Sequence, residues 1–167
     1  MCGEAKLRRI LIVLALIAAS CAPSAPGNAQ GQPQASVEAC VGAATTHDTL
    51  WRCKGILAEA CMNTRDGQTT MGMIQCQDGE AAAWQALLDA NLARLDRDDP
   101  TRAERLSAAN AAWSAWRDAE CAYQASEAEG GSLAGVIAAG CHSDVIADRV
   151  IALVWAERSA GGEGEVR

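Results

Sequence analysis

The sequence predicts an all-α domain, a small disulfide-stapled helical bundle of about four to five helices. Apolar residues recur at helical rather than alternating spacing, while alanine is abundant and phenylalanine is absent. Of the eight cysteines, six lie beyond residue 29, and an even number in an exported chain is typical of a disulfide framework. These six are Cys40, Cys53, Cys61, Cys76, Cys121 and Cys141.

The same cysteines could instead bind a metal ion, but their spacing disfavours it. Zinc sites use close ligand pairs such as C-x-x-C, which the sequence lacks, and His47 and His142 do not form a ligand-spaced pair. We therefore expect three disulfide bonds, with no metal ion and no cofactor.

Helical geometry restricts how these cysteines pair. Cys53 and Cys61 lie on one predicted helix, where their separation in sequence places the Cα atoms about 12 Å apart. A disulfide bond spans at most about 7 Å between Cα atoms. Excluding this pair leaves about 12 of the 15 connectivities of six cysteines. Among them, short loops favour Cys40 with Cys53, Cys61 with Cys76, and Cys121 with Cys141.

Residues 1–29 have the features of an export signal, with a basic segment followed by an apolar stretch at 10–19. The position at which the export signal ends has two interpretations. Residues 18–21 resemble a lipobox, which would end the signal at residue 20 and place a lipid on Cys21. Residues 27–29 instead fit ordinary cleavage after residue 29. We expect a periplasmic or secreted protein, or an outer-membrane lipoprotein that contacts the membrane only through its lipid anchor.

The domain itself is predicted to span 36–159, after a flexible linker of small and polar residues at 30–35. Its first two helices form a hairpin. Helix 37–44 follows Ser36, and helix 49–61 follows Asp48, because these side chains accept hydrogen bonds from the free N–H groups of a first turn.

A third helix is predicted to open at Thr69 and Thr70, although Gly79 weakens its middle. The charged residues 96–100 end this helix in an exposed turn. Its apolar stripe consists of Met73, Trp84, Leu87, Leu88, Leu92 and Leu95.

The fourth predicted helix begins at Pro100 with Asp99 as its cap, because proline is favoured at a first helical position. It ends before Gly130-Gly131-Ser132, which is typical of a helix stop. Both tryptophans on its apolar face are expected to lie in the core rather than to form a ligand-stacking platform. This face contains Leu106, Ala109, Trp113, Trp116, Glu120 and Tyr123.

The fifth predicted helix follows Cys141, with Ser143 as its cap. Near its buried side lies Arg149, which either stays at the edge with its stem packed or pairs with a carboxylate such as Asp118 or Glu120. The Gly- and Glu-rich tail at 160–167 is expected to be disordered. The buried side consists of Ile146, Val150, Leu153 and Val154.

The segment 112–121 reads AWSAWRDAEC and is followed by Gly130-Gly131-Ser132, Cys141 and Arg149. This pattern resembles the bacterial LprI-type lysozyme-inhibitor family, and Cys61, Cys76, Glu80 and Leu88 resemble the first half of the family pattern. Within the segment, the matching residues are Trp113, Trp116, Arg117, Asp118 and Cys121. The resemblance covers about 53–154 and implies an exported helical domain that inhibits lysozyme, with animal-type lysozyme as its protein partner.

Charge and motifs exclude several other classes of function. The formal net charge is −7, and it becomes −9 without residues 1–29, which carry three basic residues and one acidic residue. An acidic domain without a basic stripe disfavours nucleic-acid binding, whereas it would be attracted to a basic lysozyme. No catalytic motif is present, so we expect no enzyme. The alternative is a structural or interaction module of the envelope with a different partner.

Partner contacts are expected at exposed acidic turns, because loops on a rigid scaffold commonly carry binding residues. One turn contains Asp96, Asp98 and Asp99. The other contains Glu127 and Glu129 within residues 127–132.

Overall fold

The structure, a computed structural model, describes the backbone of residues 31–98 and 100–162 and the side chains of residues 36–95 and 101–161. The predicted export signal with Cys21, and the predicted cap Asp99, lie outside the described residues. In the described part of the chain every regular element is a helix, which confirms the all-α prediction. The helices are α1 (Gly31–Ala43), α2 (His47–Trp51), α3 (Ile56–Met62), α4 (Thr70–Asp98), α5 (Pro100–Ser126) and α6 (Leu133–Gly162).

The two long helices α4 and α6 pack along each other and form the centre of the bundle. Helices α1 and α3 lie against α4, and α5 lies mainly against α6. Trp84 and Leu88 of α4 and Val150 of α6 are fully buried in the core between these helices. Burial of such large apolar side chains supplies the main driving force for folding.

Helix α1 begins at Gly31, so Ser36 lies inside it and is not the N-cap that we predicted. The predicted flexible linker is therefore helical over residues 31–35. Pro33 lies in the first turn, where backbone N–H groups have no helical acceptor, so proline does not interrupt the helix there. Val37 and Val41 then bury one side of α1.

The predicted helix 49–61 is divided into α2 and α3 by Gly55, whose φ is 84°. This left-handed conformation favours glycine and ends a continuous helix. Asp48 is not the cap of α2. Thr46 has that role, because its hydroxyl accepts a hydrogen bond from the Thr49 N–H at 3.2 Å. The Asp48 carboxylate instead pairs with Arg52 at 2.7 Å.

Helix α6 begins at Leu133, well before Cys141, so the predicted cap Ser143 lies buried within the helix. Gly135, near its start, lies close to α4. A Cβ atom on Gly135 would lie 2.9 Å from Ile74 Cδ1 of α4, so glycine permits this close approach. At its other end α6 continues to Gly162, so residues 160–162 of the predicted disordered tail are helical. Its predicted buried side is confirmed, with Leu153 only partly buried and the other three residues buried.

The three disulfide bonds join the cysteines that short loops favoured. Their Cα–Cα distances are 5.8 Å for Cys40–Cys53, 5.5 Å for Cys61–Cys76 and 5.4 Å for Cys121–Cys141. Cys53 lies in the turn between α2 and α3 rather than on one helix with Cys61. The pairing is therefore as predicted, although the continuous helix that excluded Cys53 with Cys61 does not exist.

Two basic side chains fasten the N-terminal segments to α6. Arg158 of α6 donates hydrogen bonds to the carbonyl oxygens of Ala44 at 2.6 Å and Val41 at 2.9 Å, at the C-terminal end of α1. Carbonyl groups there have no helical donor, so the guanidinium satisfies them. Lys54 pairs with Asp148 of α6 at 2.7 Å. Among the described helices, none is long and apolar enough to cross a membrane.

Candidate partner-binding surface

The side of α5 that contacts the bundle is not the predicted apolar face but one rotated from it around the helix axis. Trp116 is 53% exposed, so the prediction that it lies in the core is wrong, and Tyr123 of the same predicted stripe is 66% exposed. The disulfide bond to α6 turns Cys121 inward, and Trp116, which precedes it by five residues, then lies roughly 140° away around the helix. The inward side chains are Ala103, Leu106, Asn110, Trp113, Ser114, Arg117 and Cys121.

Trp113 occupies the place where α4, α5 and α6 meet, and it packs against the main core as predicted. The guanidinium carbon of Arg117 lies 5.2 Å from the centroid of its ring, and that of Arg149 lies 5.8 Å away. Both arginines therefore make cation–π contacts with one indole. Arg149 stays at the edge of the core beside this ring, while Asp118 forms its ion pair with Arg117 and Glu120 accepts from Gln124.

Arg117 links α5 to α4 through its guanidinium group. It donates to Gln85 Oε1 of α4 at 3.4 Å and to Ser114 Oγ at 3.2 Å, and it pairs with Asp118 at 2.8 Å. The Arg117 side chain is 15% exposed and that of Asp118 is 58% exposed. An ion pair with so exposed a partner contributes little, so the contacts with Trp113 and Gln85 are the stabilising ones. The Arg-Asp motif thus positions helices rather than presenting a reactive group.

Arg117→Lys is expected to lower the free energy of unfolding by about 1 kcal/mol, because a lysine ammonium cannot reproduce the planar fork or its stacking on Trp113. Urea unfolding followed by circular dichroism would measure the change. Arg105→Lys, at an exposed position of the same helix, is the control and should leave stability unchanged. Equal stability of the two variants would contradict this structural role.

Glu80 matched the family pattern, but sequence reasoning gave it no role. It is 1% exposed and caps the start of α3 from α4. Its Oε1 accepts from Gly55 N–H at 2.5 Å and from Trp84 Nε1–H at 3.0 Å. Its Oε2 accepts from Leu57 N–H at 3.0 Å and from Ala58 N–H at 2.8 Å. A buried carboxylate requires several hydrogen-bond donors. A glutamate on the buried side of a predicted helix is therefore the sequence signal that indicates such a cap.

The turn between α5 and α6 presents Glu127 and Glu129, both exposed as predicted. Gly130 has a φ of 80°, which confirms Gly130-Gly131-Ser132 as a helix stop. Backbone hydrogen bonds restrain the turn, including Glu129 N–H to the Ser126 carbonyl at 3.1 Å and Gly131 N–H to the Ala128 carbonyl at 2.9 Å. The Cys121–Cys141 disulfide bond ties together the helices on either side. These features hold two carboxylates on a rigid, exposed support.

The other predicted acidic turn is much shorter than expected. Asp96 and Asp98 belong to the last turn of α4, and α5 begins at Pro100 after a single residue. Proline at the first position of α5 allows so abrupt a start, because that position needs no N–H acceptor. Asp99 lies outside the described residues.

A cleft of about 680 Å³ lies among the C-terminal ends of α4 and α6 and the start of α5. Leu95, Leu106 and Leu153 give it an apolar floor, and Arg94 pairs with Glu157 at its edge. Among all the described residues, no group of three or more His, Cys, Asp or Glu side chains could hold a metal ion.

The model of the family described as Lysozyme inhibitor LprI matches residues 61–153, which include α4, α5 and most of α6. The Cys40–Cys53 disulfide bond lies outside the matched residues. No curated protein and no solved structure matches the chain.

Proposed function

The chain belongs to the lysozyme inhibitor LprI family, and we propose that it is an exported protein-binding module that inhibits an animal-type lysozyme and so protects peptidoglycan. The family match confirms the resemblance that the sequence indicated. This is a family of inhibitor modules with a protein partner, and the proposal assigns the chain no catalytic activity.

The observation that carries the proposal is the acidic turn between α5 and α6. Glu127 and Glu129 are exposed, and the turn that carries them is held by the left-handed Gly130 and by the disulfide bond between its flanking helices. A loop already held in one conformation loses little entropy when it binds. Two carboxylates on such a loop suit the basic surface of an animal-type lysozyme.

Net charge supports the same partner. The chain without residues 1–29 carries a formal charge of −9, which would attract a basic protein and increase the rate of encounter. The predicted contact at Asp96, Asp98 and Asp99 would add to this attraction, and it stays a prediction.

Location in the periplasm or outside the cell is part of the proposal. Three disulfide bonds persist best in an oxidising compartment, and residues 1–29 have the pattern of an export signal. Under this proposal the mature protein is either released into that compartment or attached to the outer membrane by a lipid on Cys21.

Inhibition is tested with the chain expressed with its export signal and purified from the compartment that it reaches. We expect it to slow the lysis of peptidoglycan by an animal-type lysozyme in a dose-dependent manner. No inhibition at high molar excess would contradict the proposal. Crosslinking in envelope extracts that captured one dominant partner other than lysozyme would favour the alternative, an interaction module of the envelope.

The double charge reversal Glu127→Lys/Glu129→Lys is expected to weaken inhibition about tenfold or more, because two favourable interactions with a basic surface become repulsive. The matched control is Glu38→Lys/Asp78→Lys, which changes the net charge equally at exposed positions of α1 and α4. Titration of lysozyme activity with each variant gives the comparison. Equal loss in both variants would show that only net charge matters, and would reject the turn as the contact site.

A further inference from the structure

The outward face of α5 carries two large aromatic side chains that the bundle leaves uncovered. Trp116 is 53% exposed and Tyr123 is 66% exposed. They lie seven residues apart, two helical turns, and therefore on the same face. Most exposed apolar residues of a folded protein are scattered singly, whereas grouped aromatic residues mark interaction surfaces.

Three positions between and before these rings carry alanine. Ala109, Ala112 and Ala119 are exposed and alternate with the two aromatic residues at three- and four-residue steps. Alanine is too short to cover an adjacent ring, so these three residues leave both aromatic side chains accessible, as their exposed fractions show.

Carboxylates border the same face. Glu120 lies between the two aromatic positions and is half buried, with its Oε1 accepting a hydrogen bond from Gln124 at 2.9 Å. Glu127 follows Tyr123 by one helical turn and begins the acidic turn described above. The aromatic face and the acidic turn are thus continuous along one side of the molecule.

We propose that Trp116 and Tyr123 form the hydrophobic centre of the lysozyme-binding surface, an inference that rests on the proposed function. Its acidic rim consists of Glu120, Glu127 and Glu129. Interfaces concentrate their binding energy in tryptophan and tyrosine residues surrounded by polar residues. From Ala109 to the acidic turn this face is roughly 30 Å long, which suits an interface of standard size.

The charge of the rim favours a basic partner over a second copy of the chain. A symmetric dimer through α5 would use the same surface on both copies, and a parallel arrangement of the two helices would bring the acidic rims together. Like charges held close together at an interface are unfavourable. A basic protein surface instead complements every carboxylate of the rim.

The test measures the dissociation constant of the complex with an animal-type lysozyme for wild type, Trp116→Ala and Tyr123→Ala. Each truncation is expected to weaken binding at least about 30-fold, the loss typical of a hot spot. Ala119→Arg, which places a large basic side chain between the rings, is expected to abolish binding. Arginine forms helices well, so this variant keeps the fold. Thermal unfolding and sedimentation of each variant accompany the binding measurement.

Two controls separate the aromatic face from general effects. Ala111→Arg adds the same side chain at an exposed position on another side of α5, and Trp51→Ala removes an exposed indole from α2. Both should bind within about threefold of wild type.

The outcomes separate this inference from the proposed function. Binding by wild type with unchanged affinity in Trp116→Ala, Tyr123→Ala and Ala119→Arg would overturn the aromatic surface and leave the inhibitor function standing. Failure of wild type to bind lysozyme would overturn both. A wild-type dimer that Ala119→Arg dissociates would also overturn the inference, because the face would then be an interface between copies.

Discussion

Replacing Glu80 by alanine is expected to lower the free energy of unfolding by at least about 3 kcal/mol, a large part of the stability of a small domain. The reason is the number of donors that depend on this one carboxylate. Three backbone N–H groups at the start of α3 and the indole N–H of Trp84 would lose their acceptor, and all four donate to a side chain that is 1% exposed. Urea unfolding with the disulfide bonds intact would measure the loss.

Glu80→Gln separates the effect of losing hydrogen-bond acceptors from the effect of losing side-chain packing. Glutamine has nearly the same shape, but its amide NH₂ would face two of these donors and its single oxygen could serve only the other two. We expect it to lower the unfolding free energy by about 2 kcal/mol. Glu59→Gln, at an exposed position of α3, is the control and should change stability little. A loss below about 0.5 kcal/mol in both Glu80 variants would show that water replaces the cap.

Removing the Cys121–Cys141 bond, as Cys121→Ala/Cys141→Ala, is expected to lower stability by about 3 kcal/mol and, under the proposed function, to weaken lysozyme inhibition as well. The bond joins cysteines that are 20 residues apart in sequence. Without it the unfolded chain gains the conformational entropy that closing this loop had removed, which lowers the free energy of unfolding. It also releases the helices that hold the turn with Glu127 and Glu129, so binding would then have to order that turn. Thermal unfolding and the inhibition assay would measure the two effects.

The matched control is Cys40→Ala/Cys53→Ala, which removes a bond of comparable size, with a separation of 13 residues, at the other end of the domain. Its expected loss of stability is also about 3 kcal/mol, but inhibition should not change at a temperature where both variants are folded. If both variants lost inhibition to the same extent, the disulfide bond at the turn would have no special part in binding.

Helices α4 and α5 and the disulfide pairing were predictable because their signals are local. Apolar residues at helical spacing marked α4, and Pro100 and Gly130 marked the ends of α5. The pairing followed from short loops, which bring nearby cysteines together at the least entropic cost. Other helix boundaries were predicted wrongly. Gly55 breaks a helix that was expected to continue, whereas Gly135 lies within one that was expected to start later.

The rotation of α5 was predicted wrongly because hydrophobicity alone ranked Trp116 as core. Once Cys121 is bonded to Cys141, its side of the helix must face α6, and Trp116 cannot share that side. The covalent constraint therefore determines the orientation more reliably than the apolar pattern. Arg117, polar yet largely buried, lies on the side that Cys121 defines.

The cap at Glu80 could not be predicted from spacing. Its backbone donors lie 22 to 25 residues earlier in the chain, and they meet the carboxylate only after α3 packs on α4. The exposed position of Glu127 and Glu129 was predictable because a helix stop follows them directly. Their binding role stays a prediction, since an exposed carboxylate by itself does not identify a partner.

Within the described residues of α5, Cys121 is the only side chain that is fully buried. Folding therefore constrains mainly the inward side of this helix, and most substitutions on its outer side should be nearly neutral for stability. Natural variation could accumulate there without disturbing the bundle. A chain built in this way can acquire a new binding preference by changing one helix surface, while its core and its disulfide bonds stay as they are.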